Sequence, residues 1–302
     1  VTEVTEVTNN EQVTPEVEQE IPSIDISGTC VLVDFSQGKF SGRKLDRQQS
    51  DQLNYAKNAE RGASQVIKDI MDTSPPYIAI NSLIQANGAK YRSLTLPHTT
   101  KGTRVCPNAN LDKLQQFISE AEVEFWKLVD DVIADYDETK VRSRSRLGDL
   151  HKDSDFPDIS VVRSKYHFDY SYEPYPTMGN FFLDSANRQH QAIMDNFKEN
   201  EAKNKQRGVL YLMDGLKKIL VPITQLANKQ RLSDSLIENA QEFVEQLSTL
   251  NVTNNPEIEN ARKMLDAVIR GVNMDDIRAD EQYKKSISDK ASYILDQFKD
   301  SF

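Results

Sequence analysis

One stripe of side chains constrains this chain more than any other feature. Leu111, Leu114, Phe117, Ile118, Ala121, Phe125, Leu128, Val129, Val132 and Ile133 recur at three- and four-residue spacing, the period at which residues share one face of an α-helix. The spacing predicts a helix of about six turns, capped by Asn108 or Asn110, running to about Arg146 and ending at Gly148. A helix with one apolar face has to bury it against another element.

The flanking sequence supplies more helices and two strands. Ile26, Val31, Val33 and Phe35 predict a strand at about 29–35, with Gly28, Gly38 and Gly42 as breaks. From Asp46 or Ser50, the residues Leu53, Ala56, Ala59, Ala63, Val66, Ile67, Ile70 and Met71 read as one helix, stopped by Ser74-Pro75-Pro76. A short helix near 77–87 ends at Asn87-Gly88, and 91–110 is irregular with a strand-like Lys101–Cys106 portion. Phe156-Pro157 and Ile159 open a short turn or helix. Tyr166, Phe168, Tyr170 and Tyr172 then alternate as a β-strand, and Pro174 and Pro176 put it at a sheet edge.

After Asp184 or Ser185 the pattern is helical, with Gly208 and Pro222 as weak points and Asn254-Asn255-Pro256 as a stop. Pairing the strands near 29–35 and 164–172 gathers a small β module. The expected fold is mainly α, an elongated bundle of long helices with that module at one end (α+β). The expected organisation is an acidic low-complexity tail at 1–25, helices plus the β module at 26–183, and a C-terminal helical segment at 184–302.

The chain carries 38% hydrophobic and 28% charged residues, a balance that fits helices with much of their circumference wet. Its net charge of −10 is concentrated in the tail, where residues 1–25 hold seven acids and no Lys or Arg. The tail opens Val1-Thr-Glu-Val-Thr-Glu-Val-Thr8 and reads as a disordered leader without the features of a signal peptide. No apolar run approaches the roughly 18 residues of a membrane span, so no membrane partner is expected. Cys30 and Cys106 show no C-x-x-C spacing and read as ordinary reduced thiols.

Motifs for catalysis are missing from the sequence. His98, His151, His167 and His190 are scattered, and neither a phosphate-cradling glycine loop nor G-x-S-x-G occurs. Asp149, His151, Asp153 and Asp155 read as a polar loop rather than a metal site. No catalytic residue, cofactor or metal is expected. A basic cluster carries more weight: Lys140, Arg142, Arg144 and Arg146, then Lys152, Arg163 and Lys165. If extended, the first four project one way and can track phosphates, while Tyr166, Phe168, Tyr170 and Tyr172 offer stacking surfaces. The competing reading pairs these bases with Asp130, Asp131, Asp135, Asp137 and Glu138 and packs the aromatic face in the core. Arg43 and Arg104, each near a glycine, join Arg146 and Arg163 in one basic patch, or else neutralise Asp34 and Asp46. Trp126 flanks the long stripe and is free to meet a second helix or a partner.

Between residues 94 and 182 the punctuation is dense: Leu94-Thr-Leu-Pro-His98, Gly102-Thr-Arg-Val-Cys-Pro107, Arg146-Leu-Gly-Asp-Leu150, Asp155-Phe-Pro157 and Arg163-Ser-Lys-Tyr-His-Phe168. These motifs resemble an uncharacterised family of tailed-phage and plasmid proteins defined only as a domain of unknown function, with His98 where that family carries Trp. The resemblance implies a non-enzymatic phage interaction or adaptor protein in the cytoplasm of the infected bacterium. It also implies a partner encoded nearby, a AAA+ ATPase of the MoxR or cobaltochelatase type or another phage protein. The other readings are a nucleic-acid-associated phage protein using the 140–165 bases and a structural virion component. Self-association into a homo-oligomer fits each of them.

Overall fold

The computed structural model describes residues 26, 28–177, 188–228 and 233–299. The expected acidic tail, the caps at Asp184 or Ser185 and the 183/184 domain boundary lie outside the described residues. The fold is α+β and mainly α, with a small antiparallel sheet.

Strand β1 (Cys30–Gly38) leads to β2 (Arg43–Asp46), α1 (Arg47–Ala56) and β3 (Val66–Asp69). Then come α2 (Pro75–Leu94), β4 (Leu96–Pro97), β5 (Arg104–Pro107) and α3 (Asn108–Ala134). After these, α4 (Tyr136–Leu147) and α5 (Ile159–Arg163) precede β6 (His167–Pro174). The remainder is helical: α6 (Arg188–Thr224), α7 (Ser235–Leu250), α8 (Pro256–Ile269), α9 (Met274–Ala279) and α10 (Glu281–Gln297). Among the described residues, no helix is long and apolar enough to cross a membrane.

The long stripe forms α3 as expected, burying Leu114, Ile118, Ala121, Phe125, Val129 and Val132. Its start differs: Pro107 occupies the N-cap, and Asn110 is buried, its Nδ2 donating to the Leu94 carbonyl at 3.1 Å. The helix also does not run on to Arg146. It breaks at Asp135, whose carboxylate accepts from Ser74 Oγ at 2.7 Å and Thr139 Oγ1 at 2.8 Å, and α4 follows. Gly148, at φ +52, ends α4 where the sequence placed a stop.

Two further helices differ from expectation. The predicted helix to Met71 ends at Ala56. Asn58 at φ +50 and Gly62 at φ +89 turn the chain back, and Asn54 holds the turn by accepting from the Ser64 N–H at 3.1 Å. Val66–Asp69 becomes β3, paired with β2 through Leu45 opposite Ile67. Conversely, α2 does not stop at Asn87-Gly88 but continues to Leu94, because Tyr91 and Leu94 extend the face packed against α3. Gly208 lies inside α6 without breaking it, and Pro222 falls two residues before its end.

The four-stranded sheet has the order β4-β5-β1-β6, antiparallel throughout, so β6 is an edge strand as its prolines suggest. Strand alternation gives β1 two jobs. Cys30 and Leu32 face a core built from α6 to α10, joined by Leu96 and Val105. Val33 faces a second core of α2, α3 and β6, with Cys106, Tyr91, Phe125 and Phe168. The sheet is the wall between two helical cores.

Candidate anion-binding cleft

Because α4 is helical, its bases do not form an extended comb. Each is met by an acid. Arg142 Nη2 donates to both Asp135 oxygens at 2.6 Å, and Nη1 donates to Glu138 at 3.2 Å. Burial raises the Asp135 pKa, but hydrogen bonds from Arg142, Ser74 and Thr139 outweigh it and hold the carboxyl below its ordinary value. Lys140 pairs with Asp137 at 2.9 Å, Arg144 with Asp153 at 2.7 Å and Arg163 with Asp130 at 2.6 Å. Arg146 pairs with Asp72 and donates to the Asp69 carbonyl at 3.1 Å.

The polar loop at 149–155 is bound in the same way. Lys68, 3% exposed on β3, pairs with Asp155 and with Asp46 at 3.2 Å, and its Nζ donates to the Leu150 carbonyl at 3.0 Å. Lys152 reaches Asp46 at 3.4 Å. Asp46 therefore answers to Lys68 and Lys152, not to Arg43 or Arg104. Arg43 is exposed and lies opposite Asp69 in the β2–β3 register. Arg43 and Arg146 thus both lie beside Asp69, whereas Arg163 pairs with Asp130 of α3 and Arg104 of β5 is bonded to Thr95 at the end of α2. Lys165 is exposed.

The aromatic strand is mostly core. Tyr166 is 4% exposed and Phe168 7%, the latter packing its ring 5.3 Å from Phe35 and 5.5 Å from Phe125. Tyr172 donates its hydroxyl to Gln115 Oε1 at 2.8 Å. Tyr170 keeps an open face at 39% exposure, above a groove shared with Asp34, Ser36, Gly102, Asp169 and Ser171.

A different arrangement surrounds Arg104. The turn between β4 and β5, carrying the Leu96-Pro-His98 and Gly102-Thr-Arg104 motifs, folds over the C-terminal end of α2 and encloses a cleft of about 420 Å³. Phe35, Gln37, Ile84 and Tyr91 line it, together with Arg92, Lys101 and Arg104. Gly102 adopts φ +96, a backbone state that favours glycine.

Arg104 Nε donates to Thr95 Oγ1 at 2.7 Å and Nη2 to the Thr95 carbonyl at 2.7 Å, which fixes the guanidinium against the end of α2. Its Cζ lies 5.9 Å from the centroid of the Tyr91 ring and 5.3 Å from that of Tyr211 of α6, within cation–π range. Burial lowers the Arg104 pKa, partly offset by the two tyrosines, and an arginine stays charged regardless.

Among the described residues, no carboxylate lies within 4 Å of Arg92, Lys101 or Arg104. The Gln37 amide nitrogen, in the same lining, is buried and lacks a hydrogen-bond partner among the described residues. His98 is braced instead of open. Its ring Nε2 meets the Asn204 amide at 2.9 Å, its carbonyl accepts from Arg207 at 2.9 Å, and burial followed by Arg207 depresses its pKa.

Arg104 was legible beside its glycine, whereas Arg92, Lys101 and Gln37 were missed. A signal for the two bases does exist. Between Asp72 and Asp112 the sequence holds Lys90, Arg92, Lys101 and Arg104 and no acid, in a chain with 47 acids. Among the described residues, Lys90 alone of the four pairs with a carboxylate, that of Glu242 of α7 at 3.7 Å. Three positive charges around one concavity, with an amide donor between aromatic walls, suit a carboxylate or phosphate group.

Among the described residues, no group of three or more His, Cys, Asp or Glu is arranged to hold a metal ion. Cys30 and Cys106 are buried free thiols, and burial pushes Cys106 up to about 12. Comparison with known proteins gives no match, whether to family models, curated proteins or solved structures.

Proposed function

We infer that this is a non-enzymatic interaction protein that docks an acidic peptide segment of a partner in the Arg92–Lys101–Arg104 cleft. The observation that carries the reading is the absence of a carboxylate within 4 Å of those three bases among the described residues, when each arginine of α4 has one. Bases left without counterions in a concave site favour an incoming anion.

Peptide is favoured over nucleic acid by the neighbouring groove, where Asp34 and Asp169 stand beside Tyr170. A phosphate backbone continuing past Gly102 carries a charge at every nucleotide into those carboxylates, whereas a peptide can place its acidic residues at the cleft alone. The reading accords with the phage adaptor role implied by the motif resemblance, in which a AAA+ ATPase supplied in trans is the partner.

The test is a titration with fluorescein-labelled deca-glutamate and, in parallel, labelled dT10, at 50 and 300 mM salt. Binding of the peptide that weakens with salt, and weakens about tenfold in the Arg92→Ser/Lys101→Ser double variant, is the expected result. Peptide binding unchanged in the variant overturns the assignment. Tighter binding of dT10 moves it to single-stranded nucleic acid, with Tyr170 as the stacking surface. A tagged pull-down with and without nuclease then names the partner, and loss of that partner in the double variant ties it to the cleft.

A further inference from the structure

We propose that β6 pairs edge to edge with β6 of a second copy of this chain, joining two four-stranded sheets into one continuous sheet. The contact uses the edge of the sheet opposite β4, away from the turn that forms the docking cleft.

The two edges of the sheet are built differently. An edge strand presents unpaired N–H and C=O groups to any strand that comes near, and folds usually shorten, interrupt or cover such edges. The β4 edge is only Leu96–Pro97, carries a proline and has α6 packed against it. The β6 edge is eight residues long and pairs with β1 in unbroken register from His167 to Pro174. Among the described residues, no strand pairs with its outer side. Its proline is the last residue, which leaves His167–Glu173 able to form a ladder of about 24 Å.

The side chains of β6 select a copy of itself as the occupant. Phe168, Tyr170 and Tyr172 share the face turned to α3, where Phe168 meets Phe125 and Tyr172 reaches Gln115. His167, Asp169, Ser171 and Glu173 share the other face and are exposed. Residues directly opposite each other in an antiparallel pair lie on the same face. A two-fold axis through Tyr170 therefore sets Tyr170 against itself and Phe168 against Tyr172 of the second copy. On the other face it sets His167 against Glu173 and Asp169 against Ser171, so no two acids are opposed. Moving the axis one residue either way puts Asp169 against itself or against Glu173, and like charges directly opposite oppose pairing. The strand is self-complementary in one register, which is what a symmetric contact between identical chains requires. Tyr170, 39% exposed at the centre of the strand, lies on the axis.

A seven-residue antiparallel ladder adds about six to eight backbone hydrogen bonds between the chains. Strand pairing of this length covers less surface than a standard interface of about 1,600 Å², so the dissociation constant is expected on the order of 10 µM. Assembly stops at two chains, because pairing uses both β6 edges and each β4 edge is already covered.

The test uses the full chain. Sedimentation velocity between about 1 and 300 µM, bracketing that constant, is expected to show a monomer–dimer equilibrium. Ser171→Asp sets a second acid against Asp169 and is expected to weaken the dimer about tenfold, whereas Ser171→Lys tightens it about threefold. The register is read with a short bis-maleimide. A mixture of His167→Cys and Glu173→Cys chains is expected to bridge, and neither chain alone does, since like positions lie about 20 Å apart in this register. The native thiols, Cys30 and Cys106, are buried. A monomer across the whole range overturns the proposal. A dimer indifferent to both Ser171 changes, bridging by either chain alone as fast as by the mixture, or growth beyond the dimer overturns it as well.

Discussion

Two basic regions of this molecule look alike in sequence and differ in structure. The α4 region is richer in charge, with Lys140, Arg142, Arg144 and Arg146 in seven residues, yet each of them is met by a carboxylate from the same or an adjoining element. The β4–β5 cleft has fewer bases, and three of them have no carboxylate within 4 Å among the described residues. The difference lies in what the chain places nearby. Asp135, Asp137, Glu138, Asp153 and Asp72 surround α4, whereas the segment that makes the cleft carries no acid for 39 residues. A count of bases thus says little about a binding surface until their counterions are located.

The comparison can be broken most forcefully at Lys68. If the bases around α4 and its following loop are structural, Lys68→Met leaves Asp46 and Asp155 without their buried partner and costs about 3–5 kcal/mol, read by urea unfolding. A loss below about 1 kcal/mol contradicts a structural role. The next effect is at the cleft. Arg92→Ser/Lys101→Ser is expected to weaken deca-glutamate binding about tenfold while the melting temperature stays within about 1 °C. A large drop in melting temperature means that these bases are structural as well, and the contrast dissolves.

Smaller effects sharpen the contrast from the other side. Arg144→Ser/Arg146→Ser removes partly exposed pairs, so the melting temperature falls by about 1–3 °C and peptide affinity is unchanged. The smallest effect concerns pH. Burial, then Arg207, holds the His98 pKa below its ordinary 6.5, so the unfolded chain takes up a proton that the folded chain refuses. This contribution to stability is therefore full above 6.5 and is lost as pH drops from 6.5 toward the lower folded pKa. In His98→Gln, thermal melts between pH 5 and 7.5 should show a shallower slope.

Much of the fold was legible because its strongest elements carry local signals. The α3 stripe, the β1 and β6 alternation, the edge prolines and the Gly148 stop all act within a few residues of themselves. The errors arose where distant contacts decide. Val66, Ile67 and Ile70 have helical spacing, but Lys68 among them is buried against Asp46 and Asp155, and only a strand paired with β2 delivers it there. Asn87-Gly88 looks like a stop, but Tyr91 beyond it donates its hydroxyl to the Val33 carbonyl of β1 at 2.7 Å, which keeps the helix going. The cleft was half visible: Arg104 stood out beside Gly102, while Arg92 and Lys101 required reading where acids are missing.

The shared wall has a consequence for the order in which the molecule can form. Strand β1 is among the first described segments to leave the ribosome, yet its hydrogen-bonding neighbours begin at Arg104 and His167. Its Leu32 face stays uncovered until the helices after residue 188 arrive. An early strand that cannot be buried on both faces until the last helices exist makes folding late and non-local. It also ties the two cores into one cooperative unit, so interrupted synthesis leaves a sticky intermediate instead of a finished N-terminal half.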